Sequence, residues 1–348
     1  MNPFMMIMML SSLMAGTLIT MSSSHWLMAW MGLEINTFAI LPFMAQKHYP
    51  RAMEATTKYF IIQTTAATML LFASVSNAWL TGQWEVQQMS HPFPLAIITM
   101  ALSLKLGLAP LHAWFPEVLQ GLSLSTGLIL STWQKLAPLS LILQIPMTTP
   151  MLLTTLGLTS ILVGGWGGLN QTQLRKILGY SSIAHLGWMI LVMQYSPSLT
   201  FLAFIMYVVL TFSMFLTFNY SQATTINALS TSWTKTPTLS ALSPLILLSL
   251  GGLPPLTGFF PKWAILLELT KQSLMIIATI AALSALLSLF FYLRLSYAMT
   301  LTSSPQNIPT TLPWRLNFIQ NTTPLAISTK LSLMLLPITP SALAFTCL

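Results

Sequence analysis

The sequence predicts an all-α protein that crosses a membrane about eleven times, and three observations carry that reading. Of its 348 residues 55% are hydrophobic and 5% are charged, against roughly 25% charged in a soluble domain. The apolar residues run in stretches of about 20, the length that spans a bilayer core. Pro, Gly, polar clusters and charges punctuate those stretches from one end of the chain to the other. Nothing is left over for a soluble domain, so residues 1–348 read as a single membrane domain.

Taken in order, the first span is expected at 3–21, where MNPFMMIMML enters the membrane with no basic leader. That start has the features of neither a secretory signal nor an Arg-rich transit peptide. The second, 25–45, follows a serine cluster and contains Glu34; the third, 58–79, follows a basic connection and stops before Gly82. The fourth, 93–118, contains Lys105 and His112, and the fifth, 123–146, contains Lys135. The sixth, 149–169, runs from Pro150 into GGWGG, and the seventh, 175–195, contains His185. The eighth, 199–220, follows Pro197, the ninth, 238–270, contains Lys262, and the tenth is expected at 273–298. A polar stretch then separates off the last span, 324–345.

Charge sets the expected orientation. Lys47, Arg51, Lys58, Arg175, Lys176, Lys235, Arg294, Arg315 and Lys330 lie in or beside connections after even-numbered spans, and the other side has only Lys271. This is the positive-inside pattern, so the net charge of +8 reflects topology and not nucleic-acid binding. The N-terminus is expected on the basic side, matrix or cytoplasm, and an odd number of spans puts the C-terminus opposite. Trp26, Trp79, Trp84 and Trp233 fall near span ends, where an interfacial aromatic belt accounts for them.

Several chemistries are excluded. The one cysteine, Cys347, cannot hold an iron–sulfur cluster, a Cys-based zinc site or an internal disulfide. GGWGG at 164–168 lacks the spacing, the preceding strand and the following acid of a dinucleotide fingerprint. NQT at 170 and NTT at 321 match glycosylation acceptors only trivially.

Four charges remain inside spans: Glu34, Lys105, Lys135 and Lys262. At about 1.5 Å per residue the first three lie roughly 14–20 Å into their helices, near the membrane midplane. Together they oppose insertion by roughly 10 kcal/mol if unpartnered, so they are expected to face the bundle interior. A static Glu34/Lys105 ion pair that fixes packing is one reading, but it leaves two lysines unexplained. The other is a proton relay, since removing water disfavours a charged amine and lets it exchange a proton near neutrality. His112 and His185 are secondary candidates, because imidazole titrates between pH 5 and 8.

Two spans are expected to break. KLGLAPLHAWFPE, 105–117, holds Pro110 and Pro116, and SLGGLPPLTGFFPKW, 249–263, crowds Gly251, Gly252, Pro254, Pro255, Gly258 and Pro261 together. Ordinary proline kinks would account for either alone. Unwound backbone at membrane depth is otherwise tolerated only inside protein or along a hydrated cavity, and a lysine adjoins each break. Residues 106–116 and 251–261 align at an offset of 145 with six identities in eleven. The two segments lie an odd number of spans apart, so they enter from opposite sides, as inverted repeats do.

GTLIT at 16, SSHW at 23, GLE at 32, GQW at 82, WQKLAP at 133, WGGLNQTQLRKIL at 166, YSSIAHLGW at 180 and LSLGGLPPLTGFFPKWAI at 248 resemble the antiporter-like membrane-arm subunits of respiratory complex I, NADH-ubiquinone oxidoreductase, and among them the chain 2 family. The resemblance covers roughly residues 1–300 and is weaker beyond. It implies two inverted five-helix repeats, about 1–146 and 149–298, plus the C-terminal helix, and kinship with cation/proton antiporters. It implies proton translocation through Glu34, Lys105, Lys135 and Lys262, with His185 in the RK…YSSIAH motif as a further relay. It also implies a mitochondrial inner-membrane location, matrix-side N-terminus and intermembrane-space C-terminus, and other membrane-arm subunits and lipid as partners. No cofactor is expected in this chain; NAD, FMN, iron–sulfur clusters and ubiquinone would belong to partner subunits. Bacterial relatives have additional N-terminal spans, so the roles of those helices do not transfer. A free-standing cation/proton antiporter, a structural membrane spacer and a direct quinone or NADH site are the competing readings.

Overall fold

The computed structural model describes residues 3–46, 49–146, 150–234, 236–301 and 322–347. Lys47, Lys235 and Arg315, three of the residues that set the expected orientation, lie outside them. Regular structure among the described residues is helical, apart from two isolated antiparallel bridges. The chain forms two compact units, Met1–Gly157 and Leu158–Leu348.

The first unit opens with α1, Pro3–Ser22, and α2, Trp26–Met44. Their backbones meet at glycine: a Cβ on Gly16 would lie 2.9 Å from the Gly32 carbonyl oxygen, and one on Gly32 would lie 2.9 Å from that of Gly16. Close approach at small residues is how helices associate where lipid offers no hydrophobic drive. α3, Pro50–Thr81, has 32 residues, about 48 Å long, and begins eight residues before the predicted start because Pro50 presets the first helical turn. Its overhanging first turns hold Lys58 against Glu54 at 2.8 Å and Glu117 at 2.9 Å. Glu117 lies on α5, Trp114–Gly121, which α4, Pro92–Leu106, precedes across the expected break.

The predicted fifth span is also discontinuous. α6, Leu124–Ser131, passes through a 3-10 turn at Trp133–Lys135 into α7, Leu136–Gln144. Pro138 is the cause: it has no N–H for the Gln134 carbonyl, and its ring crowds that turn. A short bridge ties the α1–α2 turn to the connection after α3, the Trp26 amide donating to the Trp84 carbonyl at 3.1 Å and the Val86 amide to Ser24 at 2.8 Å. Trp26 is therefore wholly buried in the core and not the interfacial anchor that its position predicts. Trp79, 88% exposed at the end of α3, suits that role.

The second unit takes up α8, Pro150–Gly167, and continues through α9, Leu174–Met193, and α10, Pro197–Ser221. α9 is the most buried of the long helices. A second bridge ties the α8–α9 turn to the connection after α10: the Leu174 amide donates to Thr224 at 3.1 Å, and the Ile226 amide to Thr172 at 3.2 Å. Short α11, Ile226–Ser230, leads to α12, Pro237–Gly251, which a break separates from α13, Phe259–Lys271. α14, Met275–Thr300, follows. Its Arg294 donates to the Leu169 carbonyl at 2.8 Å, capping the end of α8. Helices Thr323–Met334 and Thr339–Cys347 follow, joined by a 3-10 turn at Leu336–Ile338, and the helical path bends by 63° at Leu335. Seven helices, α1, α2, α3, α8, α9, α10 and α14, are each long and apolar enough to cross a membrane.

Candidate functional site: two lysine cavities

The first cavity is built by the way α4 ends. Gly107 takes φ +77°, and the amides of Gly107 and Leu108 both turn back to the Ser103 carbonyl, closing the helix. The Trp114 indole N–H satisfies the neighbouring Leu104 carbonyl at 3.1 Å. Lys105, in the last turn, is thereby held inward, 7% exposed, and its Nζ has no hydrogen-bond partner among the described residues. The amine lines a cavity with about 20 Å³ of water-accessible space, enough for roughly one water. A buried ammonium without a partner is costly, so a polar cavity of this size beside it is where water belongs.

Lys135, brought to the same cavity by the 3-10 turn, is 3% exposed and places Nζ 4.7 Å from the Phe115 ring centroid. The ring face stabilises the cation without binding it as a carboxylate would. Glu34, half-buried on α2, accepts a 2.9 Å hydrogen bond from Thr37 Oγ1, and Thr37 lines the cavity. Glu34 and Lys105 lie within electrostatic reach of each other but form no ion pair among the described residues, which removes the static-pair reading. Gln134, beside Lys135, donates to the Asn36 carbonyl at 3.1 Å and joins α2 to the fifth-span break.

The second cavity sits at the second break. Gly252 takes φ +81°, and the amides of Gly252 and Leu253 turn back to Leu248, repeating the closure at Gly107. Lys262, in the first turn of α13, reaches back across the break and donates from Nζ to the Gly251 carbonyl at 2.8 Å. Its stem lies so close over Gly252 that a Cβ there would be 2.9 Å from Lys262 Cδ. Lys105 precedes its break and Lys262 follows its own, yet both amino groups belong to the C-terminus of the helix before the break. Unsatisfied carbonyls and the helix dipole favour a cation there. His185 and Tyr207, ring centroids 5.6 Å apart, line the second cavity with Lys262, again with about 20 Å³ of water-accessible space.

The structure thus gathers Lys105 and Lys135 around one cavity, with Glu34 joined to its lining through Thr37, and His185 and Lys262 around the other. His112 is not brought into the first cavity: it is half-buried within the break, Nδ1 3.3 Å from the Pro110 carbonyl oxygen. Sequence reasoning passed over Thr37, Tyr59, Gln63 and Gln134, which supply most of the first cavity's uncharged polar lining. The available signal was the spacing of polar residues one turn apart on otherwise apolar helices, as at Tyr59 and Gln63. Among the described residues no group of three His, Cys, Asp or Glu side chains could hold a metal.

Residues 23–288 match the family model for the transmembrane region of NADH:quinone oxidoreductase and Mrp antiporters, and residues 289–343 match the C-terminal model of NADH dehydrogenase subunit 2. The chain is 65% identical to NADH-ubiquinone oxidoreductase chain 2 of Tetraodon nigroviridis, over 99% of both chains. In structure it is similar to a chain of respiratory complex I from Thermus thermophilus, with a TM-score of 0.77 at 26% identity over 92% of this chain and 77% of that one. Its fold is also similar to a chain of the Mrp complex from a Dietzia species, with a TM-score of 0.75 at 14% identity over 96% and 73% of the two chains. The chain belongs to the chain 2 family of NADH-ubiquinone oxidoreductase, multi-pass subunits of the complex I enzyme in the mitochondrial inner membrane.

Proposed function

We propose that this subunit translocates protons through the two cavities, with Glu34, Lys105, Lys135 and Lys262 as relay groups and His185 assisting Lys262. The observation that carries this reading is the Lys105 amine, without a hydrogen-bond partner among the described residues, facing a water-sized cavity. Quinone reduction in partner subunits perturbs Glu34, which shifts the proton affinity of Lys105, and the change passes by Lys135 to Lys262 and out. Driving one charge against 100 mV takes about 2.3 kcal/mol. That energy comes from NAD, FMN, iron–sulfur and ubiquinone chemistry in the partners. His112, which does not line the first cavity, is left outside the relay. The Lys262→Met enzyme should assemble and oxidise NADH but move fewer protons per NADH, measured with a pH dye in proteoliposomes; an unchanged ratio removes Lys262 from the path.

The cavities belong to two inverted repeats, about 1–146 and 149–298. α4 and α12 each have 15 residues at an offset of 145, and each is followed by a seven-residue break. Each unit also ties the turn between its first two helices to the connection after its third. Counting each discontinuous pair, α4/α5, α6/α7, α12/α13 and the bent C-terminal pair, as one crossing and adding the seven continuous helices gives eleven. The N-terminus then lies in the matrix with the basic connections, and the C-terminus in the intermembrane space. Tags on the two ends should be cut by protease from opposite sides of mitoplasts; cleavage of both from one side rejects the odd count.

The likeness of the fold to an Mrp chain favours a second reading, cation/proton antiport. Hard cations take several oxygen ligands, and the first cavity has one carboxylate near it, Glu34, joined to its lining through Thr37. Turnover that depends on sodium or potassium would support antiport over the relay.

A further inference from the structure

Tyr59 and Tyr207 have no place in the relay as derived so far, yet they occupy matching positions. α2 and α9 begin 148 residues apart, at Trp26 and Leu174, and the bridge residues that cap them, His25 and Gln173, have the same offset. The same offset carries Glu34 onto Ser182 and Tyr59 on α3 onto Tyr207 on α10. Both tyrosines are buried, 2% and 1% exposed, and each lines the lysine cavity of its own unit. The neighbours repeat as well: Tyr59 lies within the field of Glu34, and Tyr207 within hydrogen-bond reach of Ser182. One ring packs on Trp114 at 5.9 Å and the other on His185 at 5.6 Å, so both phenols are held in place.

A phenol both donates and accepts and is neutral at working pH, so it can hold water inside a membrane without the insertion cost of a charge. Gln63, one turn on from Tyr59 and equally buried, adds a second neutral polar group to the first cavity. We propose that Tyr59 and Tyr207 are paired water-positioning residues, each phenol holding the cavity water through which protons reach and leave the lysine of its unit. A proton arriving on that water as hydronium passes to the lysine amine, leaving water and an ammonium, while the phenol remains neutral throughout. The inference rests on the relay reading.

The test is the assembled complex carrying Tyr59→Phe, Tyr207→Phe or both, reconstituted in proteoliposomes, with turnover and protons per NADH measured in H2O and D2O. Phenylalanine preserves the ring packing, so a role confined to packing predicts wild-type values. Loss of the positioned water lowers coupled turnover about tenfold, as expected for one lost hydrogen bond, and raises the solvent isotope effect. Wild-type rate and isotope effect in the double variant overturn the inference. Lys105→Met, run in parallel, separates the two ideas: normal pumping there defeats the relay, whereas a defect there with normal phenylalanine variants defeats only the tyrosines. A high-resolution map of the unmodified complex gives a second check, with water expected within hydrogen-bond distance of both the Tyr59 hydroxyl and Lys105 Nζ. A dry cavity would overturn the proposal even if no variant assembled.

Discussion

The Lys105→Met enzyme should assemble at wild-type levels and lose proton translocation through the first cavity. Removing one member of a buried ion pair is destabilising because it strands the other charge. Lys105 has no such ion-pair partner among the described residues, so a neutral side chain of similar length relieves a desolvation cost and leaves the fold intact. The loss is chemical: methionine cannot take a proton from water and return it, so the proposed relay is cut ahead of Lys135, the amine that remains at the cavity. Protons per NADH fall, and coupled NADH oxidation slows by about tenfold or more if the blocked step limits turnover. Lys105→Arg serves as a companion, since guanidinium keeps the charge but does not release its proton. It should fail as Met does. An assembled Met variant with wild-type stoichiometry would take Lys105 out of the mechanism, and an active Arg variant would mean that fixed charge suffices.

The second large effect is expected at Gly258, where a Cβ would lie 1.8 Å from the Ser249 carbonyl oxygen. That neighbour is backbone in the helix before the break and cannot rotate away as a side chain could. Gly258→Ala must therefore push the return of the chain away from α12 and open the second cavity, which Gly258 lines. The cost lies at the top of the overpacking range, about 3 kcal/mol or more, enough to remove the subunit from the assembled enzyme on a native gel. Gly251→Ala is the matched control: its nearest neighbour would be 3.7 Å away, so assembly should be normal. Equal behaviour of the two variants would show that the tight approach at Gly258 does not govern assembly.

The parts of this fold that proline, glycine and charge dictate were legible in the sequence. Both expected breaks lie where Gly107 and Gly252 supply positive φ and the prolines withhold amide donors. The buried lysines stood out because charge is so rare in this chain. The break at Lys135 was missed because a single proline, Pro138, looks like a tolerable kink until the side chains around Gln134 are in place. Trp26 was misread because proximity to a span end does not say whether a ring points to lipid or to a neighbouring helix. The grouping of His185 with Lys262 depends on helix rotation, which near-uniformly apolar helices leave undetermined, and the absence of His112 from the first cavity's lining depends on the path of the chain through the break.

Lys262 binds a backbone carbonyl, and the only acidic side chain in its unit, Glu268, lies one turn from Lys271 and is held by it at 3.4 Å. A carbonyl dipole is fixed and cannot take up a proton to balance one that leaves. On the proposed relay, a proton gained or lost at Lys262 is therefore not offset by any carboxylate of its unit, whereas Glu34 can offset part of the change at Lys105. In electrical terms the second cavity is a capacitor without a carboxylate plate, the His185 imidazole being the other proton-exchanging side chain in its lining.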